Sequence, residues 1–276
     1  MTKLKFTKMQ GLGNDFVILD FEEYQKSPLK DGELAKRLCD RHFGIGADGL
    51  IIVNPNTTHT DIGWFFFNSD GTIAQMCGNG IRCFARYVSK KGLVNKSKFS
   101  VDTKAGVIIP EVLCDNRVKV NMSKPILTPE KIPAKVENNL NFEIKLKERT
   151  FIGNAVSMGN PHCVIFTDED TKKLAKTYGE EIEHHPIFPE KVNVEFIKII
   201  NEHEMNLDVW ERGCGITLAC GTGACASTVA AILNKKCKDY VKVNLPGGAL
   251  TIEWDGVNDI YMTGNADFVF DGTIEI

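Results

Sequence analysis

The chain predicts an α/β (α+β) fold of two pseudo-symmetric domains, each a curled, mostly antiparallel sheet around a central helix, with the active site in the cleft between them. Three observations predict it. A length of 276 residues suits two units of roughly 130 to 140 residues, each large enough to bury a core. The chain also repeats itself. At an offset of 143, FNSDGTIAQMCGNG (67–80) falls on WERGCGITLACGTG (210–223), so that Phe67 meets Trp210, Ile73 meets Ile216 and Cys77 meets Cys220. At an offset of 146, GLGNDFVIL (11–19) lies over SMGNPHCVI (157–165), matching Gly13 and Asn14 to Gly159 and Asn160. Two pairs in the same order, at offsets near half the length, indicate duplication rather than chance likeness between glycine-rich turns. Thirdly, short apolar runs alternate with stretches of helical period in both halves.

In chain order, FVILDF (16–21) and GLIIV (49–53) read as strands, and DGELAKRLCDRHFG (31–44) as a helix with Asp31 near its start and Gly44 past its end. After Cys77, the residues Ile81, Phe84, Ala85 and Val88 recur at helical spacing and predict an amphipathic helix. Its counterpart GACASTVAAIL (223–233) is small or apolar nearly all round, which predicts a helix buried by its own domain. The second half continues with FIGNAVSM, HCVIFT, VNVEFIKI, LDVWER, VKVNL and ALTIEW as strands. Between the halves, the proline-bearing NMSKPILTPEKIPAKVENN (121–139) reads as a linker and natural hinge. The expected domains are residues 1–122 joined by the tail 266–276, and residues 123–265.

Composition removes several classes. With 43% hydrophobic and 25% charged residues and a net charge of -3, the chain has the make-up of an ordinary soluble protein and no basic surplus for a nucleic-acid partner. No stretch approaches 18 uncharged apolar residues, and lysines at the start are not followed by an apolar run, so no membrane partner and a cytoplasmic location are expected. Nine cysteines in such a chain read as thiols rather than a disulfide framework. Their spacings lack any CxxC, and HExxH is absent, so no metal is expected. FGIGADG satisfies GxGxxG at Gly44, Gly46 and Gly49, but a helix precedes it and a strand follows, the reverse of a dinucleotide site.

The repeat places Cys77 and Cys220 at the N-cap of a central helix. The unpaired amides and positive dipole end there favour an anion, which should ease ionisation of the thiol. The same amides can hold a carboxylate, and Gly78 and Gly221 leave room for its approach. Two such termini facing one cleft put a thiol on each side of a bound carbon. One sulfur takes a proton, the other returns one to the opposite face, and the stereocentre inverts. A carboxylate held by both termini answers the weak acidity of an amino acid's α-proton. Cys39, Cys83, Cys114, Cys163, Cys214, Cys225 and Cys237 are expected as small buried hydrophobes.

GLGNDFVILD, FNSDGTIAQMCGNGIRCFARY, GNPHCV, VNVEF and WERGCGITLACGTGA closely resemble the motifs of the diaminopimelate epimerase family, from about residue 5 to the C-terminus. The resemblance implies a cofactor-independent isomerase, free of metal and pyridoxal phosphate, that converts LL- to meso-diaminopimelate for lysine and peptidoglycan precursors. It implies Cys77 and Cys220 as the acid/base pair. Asn14, Gly78, Asn79, Gly221 and Thr222 would hold the reacting end, Asn68, Asn160, Asn193, Glu211 and Arg212 would read the distal end, and His162 would support the site. A neighbouring carboxylate and guanidinium suit a zwitterionic group. Three positions depart from the family: Gly49 stands for a glutamine, Ile216 for a glutamate, and Phe270 for a tyrosine associated with dimers, which leaves a homodimer open.

Two rivals remain at this level. A racemase of histidine, proline or hydroxyproline type shares the superfamily; Asn79, Glu211 and Arg212 favour a longer substrate with a second amino-acid end. A thiol redox or sensor protein would also present reactive cysteines, but usually with both in one local motif.

Overall fold

The computed structural model describes residues 2–276. They divide into two units, one running to Val120 and resuming at Gly264–Ile276, the other spanning Asn121–Thr263. The first contains β1 (Lys3–Gly11), β2 (Asn14–Leu19), α1 (Phe21–Lys26), α2 (Asp31–Cys39), β3 (Gly49–Asn54), β4 (Ile62–Asn68), α3 (Gly78–Lys90), β5 (Val101–Thr103), β6 (Gly106–Ile108), β7 (Pro110–Val112) and most of β8 (Val118–Asn121). The second contains β9 (Phe142–Lys145), β10 (Thr150–Ser157), β11 (Pro161–Phe166), α4 (Thr171–Glu183), β12 (Asn193–Asn201), β13 (Glu204–Glu211), β14 (Gly215–Ile216), α5 (Gly221–Leu233), β15 (Tyr240–Leu245), β16 (Gly248–Glu253) and most of β17 (Tyr261–Gly264). The final strand β18 (Asp267–Glu275) pairs antiparallel with β1, Lys3 opposite Glu275 and Gln10 opposite Asp267.

The duplication is visible in the strand pairing. In the first unit β1–β2 is antiparallel, β2–β3 parallel, β3–β4 antiparallel, β4–β5 parallel and β5–β6 antiparallel. In the second, β10–β11, β11–β12, β12–β13, β13–β15 and β15–β16 repeat that alternation in the same order. Parallel neighbours need a crossover. The helices supply it: α2 and α4 at the first parallel pair, α3 and α5 at the second.

Each unit wraps its sheet onto its central helix. α5 touches β10, β11, β12, β15 and β16, strands that span most of the sheet, so the sheet must curl around it. Its small residues make this close wrapping feasible: Ala224, Cys225, Ala226, Val229 and Ala230 are fully buried, and the buried Thr228 hydroxyl donates to the Ala224 carbonyl at 3.0 Å. α3 rests on β1, β2 and β7. The core of the first unit gathers Leu4, Val17, Leu34, Leu38, Leu50 and Phe67; that of the second gathers Ile144, Phe151, Ile165, Ile182, Val194 and Phe196. No described helix is long and apolar enough to cross a membrane.

Three expectations are corrected. α2 ends at Cys39, five residues before Gly44, because the Asp40 carboxylate accepts the amides of His42 and Phe43 at 2.8 and 2.7 Å and turns the chain out. Gly44 is then pressed on the helix end, where a Cβ would stand 2.4 Å from the Arg37 carbonyl. α3 is the expected amphipathic helix, its stripe Ile81, Phe84, Ala85 and Val88 fully buried, and it buries Asn79, Arg82 and Tyr87 as well. The stretch 121–139 belongs to the second unit, where Ile132 and Ala134 enter the core and Ile126 bridges Ser157, so it is packed structure rather than a hinge. Cys114 and Cys214 are exposed.

Candidate active site

Cys77 is the N-cap of α3, extended at φ -142° and ψ 121°, and its sulfur accepts the Gly80 amide at 3.5 Å. Gly13, at φ 84°, makes the left-handed turn that presents Asn14. The Cys77 thiol donates to Asn14 Oδ1 at 3.5 Å, and Asn79 Nδ2 donates to the same oxygen at 3.2 Å. Both amides are oriented from behind. Asp48 accepts from Asn14 Nδ2 at 2.6 Å, and the fully buried Arg82 donates to Asn79 Oδ1 at 2.8 Å and to the Gly78 carbonyl at 3.1 Å.

Cys220 repeats the geometry as the N-cap of α5, at φ -122° and ψ 108°, its sulfur accepting the Gly223 amide at 3.3 Å. Thr222 Oγ1 lies 3.5 Å from the sulfur. Gly159, at φ 97°, presents Asn160, whose Nδ2 donates to Thr222 Oγ1 at 3.3 Å. Asn160 Oδ1 faces His162 Nε2 at 3.1 Å, and His162 Nδ1 faces Glu195 Oε1 at 2.7 Å. His162 and Glu195 are both fully buried. Because the Gly80 and Gly223 amides serve the sulfurs, and Ile81 and Ala224 donate to the Cys77 and Cys220 carbonyls, the helix amides left without an intrahelical acceptor are those of Gly78, Asn79, Gly221 and Thr222.

The surroundings of the second thiol differ from expectation. Burial, and then the charges of Glu211 and Glu195, push the Cys220 thiol well above the ordinary cysteine range, outweighing the Thr222 and Gly223 contacts. The helix terminus alone predicted the opposite. A buried sulfur beside two carboxylates is held as a thiol. Burial likewise pushes Cys39 and Cys83 up to about 12, which makes them inert packing residues. Glu211 sits against Thr217, which donates to its Oε1, and is within hydrogen-bonding reach of Cys220. Burial raises its own carboxyl above the usual range.

The other candidates hold local contacts within their own units. Asn193 Nδ2 donates to the Pro161 carbonyl at 2.8 Å, and its Oδ1 accepts the Arg212 amide at 2.9 Å. The half-buried Arg212 guanidinium donates to the Glu190 carbonyl at 3.1 Å. Asn68, at the exposed end of β4, turns its amide to Thr72 at 2.9 Å. His162, Glu195 and Cys220 bring nitrogen, oxygen and sulfur within 4.8 Å of one another. Two ligands at about 2.0 to 2.1 Å on a tetrahedral zinc would stand about 3.4 Å apart, whereas the His162–Glu195 spacing of 2.7 Å suits a shared proton.

The family model described as diaminopimelate epimerase matches residues 6–128 and 154–269. The chain belongs to the diaminopimelate epimerase family. Among similar proteins, the diaminopimelate epimerase of Halothermothrix orenii is 48% identical over 283 residues, covering 99% of each chain. That of Rippkaea orientalis is 48% identical over 276 residues, covering 98% of each. Solved structures share the fold at low identity: a phenazine biosynthesis protein of the PhzF family from Bacillus anthracis, with a TM-score of 0.70 at 15% identity over all of both chains, and a hydroxyproline epimerase from Agrobacterium vitis, with a TM-score of 0.70 at 14% identity over 99% of this chain and 92% of that one.

For this diaminopimelate epimerase family chain, motif reading missed four supporting residues: Asp48 and Arg82 behind Asn14 and Asn79, Glu195 behind His162, and Glu183. Glu183, at the end of α4, accepts the Trp210 indole at 2.8 Å and the Gly213 amide at 3.0 Å, shaping the turn that carries Glu211 and Arg212. A charge inside an apolar run, as in IRCFA and VNVEF, was the available signal for Arg82 and Glu195. The departure at Gly49 has a packing cause: a Cβ there would meet the Phe66 ring at 2.6 Å and the Phe67 carbonyl at 2.8 Å. Ile216 is exposed opposite Trp210, and Phe270 is exposed beside Phe6, with ring centroids 5.8 Å apart. Nothing in the structure explains the isoleucine.

Proposed function

We propose that the chain inverts one α-carbon of LL-diaminopimelate to give the meso isomer, with Cys77 and Cys220 as the two proton-transfer groups. The observation that carries this reading is the repeated N-cap cysteine, each beside a glycine-presented asparagine and two helix amides with no intrahelical acceptor. Those amides, at Gly78, Asn79, Gly221 and Thr222, bind the substrate carboxylate and stabilise the negative charge that reaches it as the α C–H bond breaks. The proton passes to one sulfur as its thiolate, the electron pair delocalises into the carboxylate, and the thiol of the other delivers its proton to the opposite face; the family resemblance places the base for the LL isomer at Cys220. Each turnover leaves the protons exchanged between the sulfurs, and the reverse reaction uses them in the other order. Burial and two carboxylates favour the thiol form of Cys220, the form in which it donates.

Asn68, Asn160, Asn193, Glu211 and Arg212 read the distal amino-acid end in this proposal, and His162 supports the site. No cofactor takes part. The small-molecule substrate, a place in lysine synthesis and a cytoplasmic location complete the reading, and Phe270 in place of the dimer-associated tyrosine weakens the case for a homodimer. Relatives at 48% identity favour diaminopimelate over proline-type substrates, since the likeness to the hydroxyproline epimerase at 14% identity carries the fold alone.

Proton NMR of the reduced, chelator-treated protein with LL-diaminopimelate in deuterium oxide tests the whole reading. Loss of one α-proton signal as the meso isomer forms is expected. Exchange with proline or histidine and none with diaminopimelate would replace the substrate, and no exchange with any amino acid would remove the activity.

A further inference from the structure

Glu195 lies inside the sheet with no contact to solvent, and among the described residues its Oε2 has no hydrogen-bond partner. Its Oε1 lies close against the start of α5, where a Cβ on Gly223 would stand 2.7 Å away. A carboxylate in such a place needs a compensating charge, and its hydrogen-bond partner is His162 Nδ1 at 2.7 Å. The other ring nitrogen faces Asn160 Oδ1 at 3.1 Å, also an acceptor. Two acceptors on one imidazole are both satisfied only when each ring nitrogen carries a hydrogen.

The remaining hydrogens follow in sequence. With Asn160 Oδ1 taken by His162, Asn160 Nδ2 donates to Thr222 Oγ1 at 3.3 Å. Thr222 Oγ1 then receives a hydrogen from that side, and its own hydroxyl hydrogen is left to point at the Cys220 sulfur 3.5 Å away. We propose that Glu195 is a positioning residue for Cys220: acting through His162, Asn160 and Thr222, its buried charge aims the Thr222 hydroxyl at the sulfur and so favours the thiolate that remains after proton delivery. The inference rests on Cys220 being a reacting thiol, as proposed above.

Two influences of Glu195 on Cys220 therefore oppose each other. Through space, its negative charge disfavours the thiolate, as that of Glu211 does. Through the chain, it supplies a donor to that thiolate. The titratable groups facing the sulfur are His162 from β11, Glu195 from β12 and Glu211 from β13, and α5 contributes the Thr222 hydroxyl and the Gly223 amide. Glu195→Gln removes the charge and the need for a doubly protonated His162. The ring nitrogen facing Asn160 then becomes an acceptor, the amide turns over, and the Thr222 hydroxyl swings away from the sulfur.

The test reads the rate of Cys220 alkylation by iodoacetamide against pH, by peptide mass spectrometry on substrate-free protein. Glu195→Gln is expected to slow alkylation at a fixed pH, about tenfold for each unit by which the midpoint rises. Glu195→Asp should stay near the unmodified protein. In a Thr222→Val background, where the chain is cut, adding Glu195→Gln should instead speed alkylation through the lost charge. Faster alkylation in both backgrounds would overturn the proposal. The 15N spectrum of His162 in the unmodified protein needs no variant: two protonated ring nitrogens are expected, and one bare nitrogen would overturn it equally. Neither readout uses turnover, so inactivity towards diaminopimelate would sink the proposed function and leave this inference to be judged alone.

Discussion

Cys77 and Cys220 share a backbone position and differ in what stands behind the sulfur. Asn14 and Asn79, backed by Asp48 and Arg82, face the first; Thr222, Glu211, Glu195 and His162 surround the second. Replacing either sulfur should lower turnover by about 10² to 10⁴ fold, the usual worth of a positioned proton-transfer group, while circular dichroism stays unchanged; turnover at the unmodified rate in Cys77→Ala or Cys220→Ala would sink the two-thiol reaction. The residue scale also sets part of the acid stability. Burial works against the Asp15 charge, but Arg41 at 2.8 Å and Lys8 at 2.7 Å outweigh it and bring its carboxyl to about 2. Its folded value lies below the unfolded one of about 3.9, so its contribution is complete above pH ~4 and is lost as pH falls towards about 2. Asp15→Asn should therefore lower Tm at pH 7 and change it little at pH 2; an equal drop at both pH values would assign the effect to packing.

The elements show how local chemistry and the repeat divide the work. α4 starts at Asp170, whose carboxylate accepts the Lys173 amide at 3.0 Å. Asp170→Ala should cost about 1 kcal/mol of stability, as lost N-caps do, with kcat unchanged; urea unfolding beside an activity assay reads both. Residues 67–80 and 210–223 were legible as matching units because glycines and cysteines recur in order, and α4 was legible in principle, since the same offset carries α2 onto it. The end of α2 was not, because it depends on which amides the Asp40 side chain reaches. Gly49 on β3 shows the same dependence. Gly49→Gln should destabilise the protein by roughly 1 to 3 kcal/mol through overpacking against Phe66, and Gly49→Gln/Phe66→Ala should lose less than the two single losses added together, a partial recovery. No recovery in the double variant would shift the cause to the Phe67 carbonyl.

For the whole molecule, the chain ends where it began. β18 covers the outer edge of β1, and ten of the last residues, 267–276, close the first unit's sheet. Most side chains of β18 are exposed or half-buried, so its contribution is chiefly ladder hydrogen bonds and protection of an edge. Removing residues 267–276 should lower Tm by at least about 5 °C, the effect of roughly 2 kcal/mol in a chain of this size, and raise aggregation in light scattering. A truncated protein with unchanged Tm would show that β1 stands as an edge unaided.

Sequence by itself determined the duplication, the two helix-capping cysteines, the matched Gly–Asn pairs and the chemical class of the site, because these depend on residue type and spacing over a few turns of chain. Only the tertiary structure decided that Cys220 is held as a thiol, that residues 121–139 are core rather than hinge, and that Arg82 stands behind the Asn79 amide and Glu195 behind the His162 imidazole. Desolvation and charge pairing are sums over neighbours distant in sequence. Glu195 lies 33 residues from His162, and no local pattern states whether a carboxylate that far away is in water or against an imidazole.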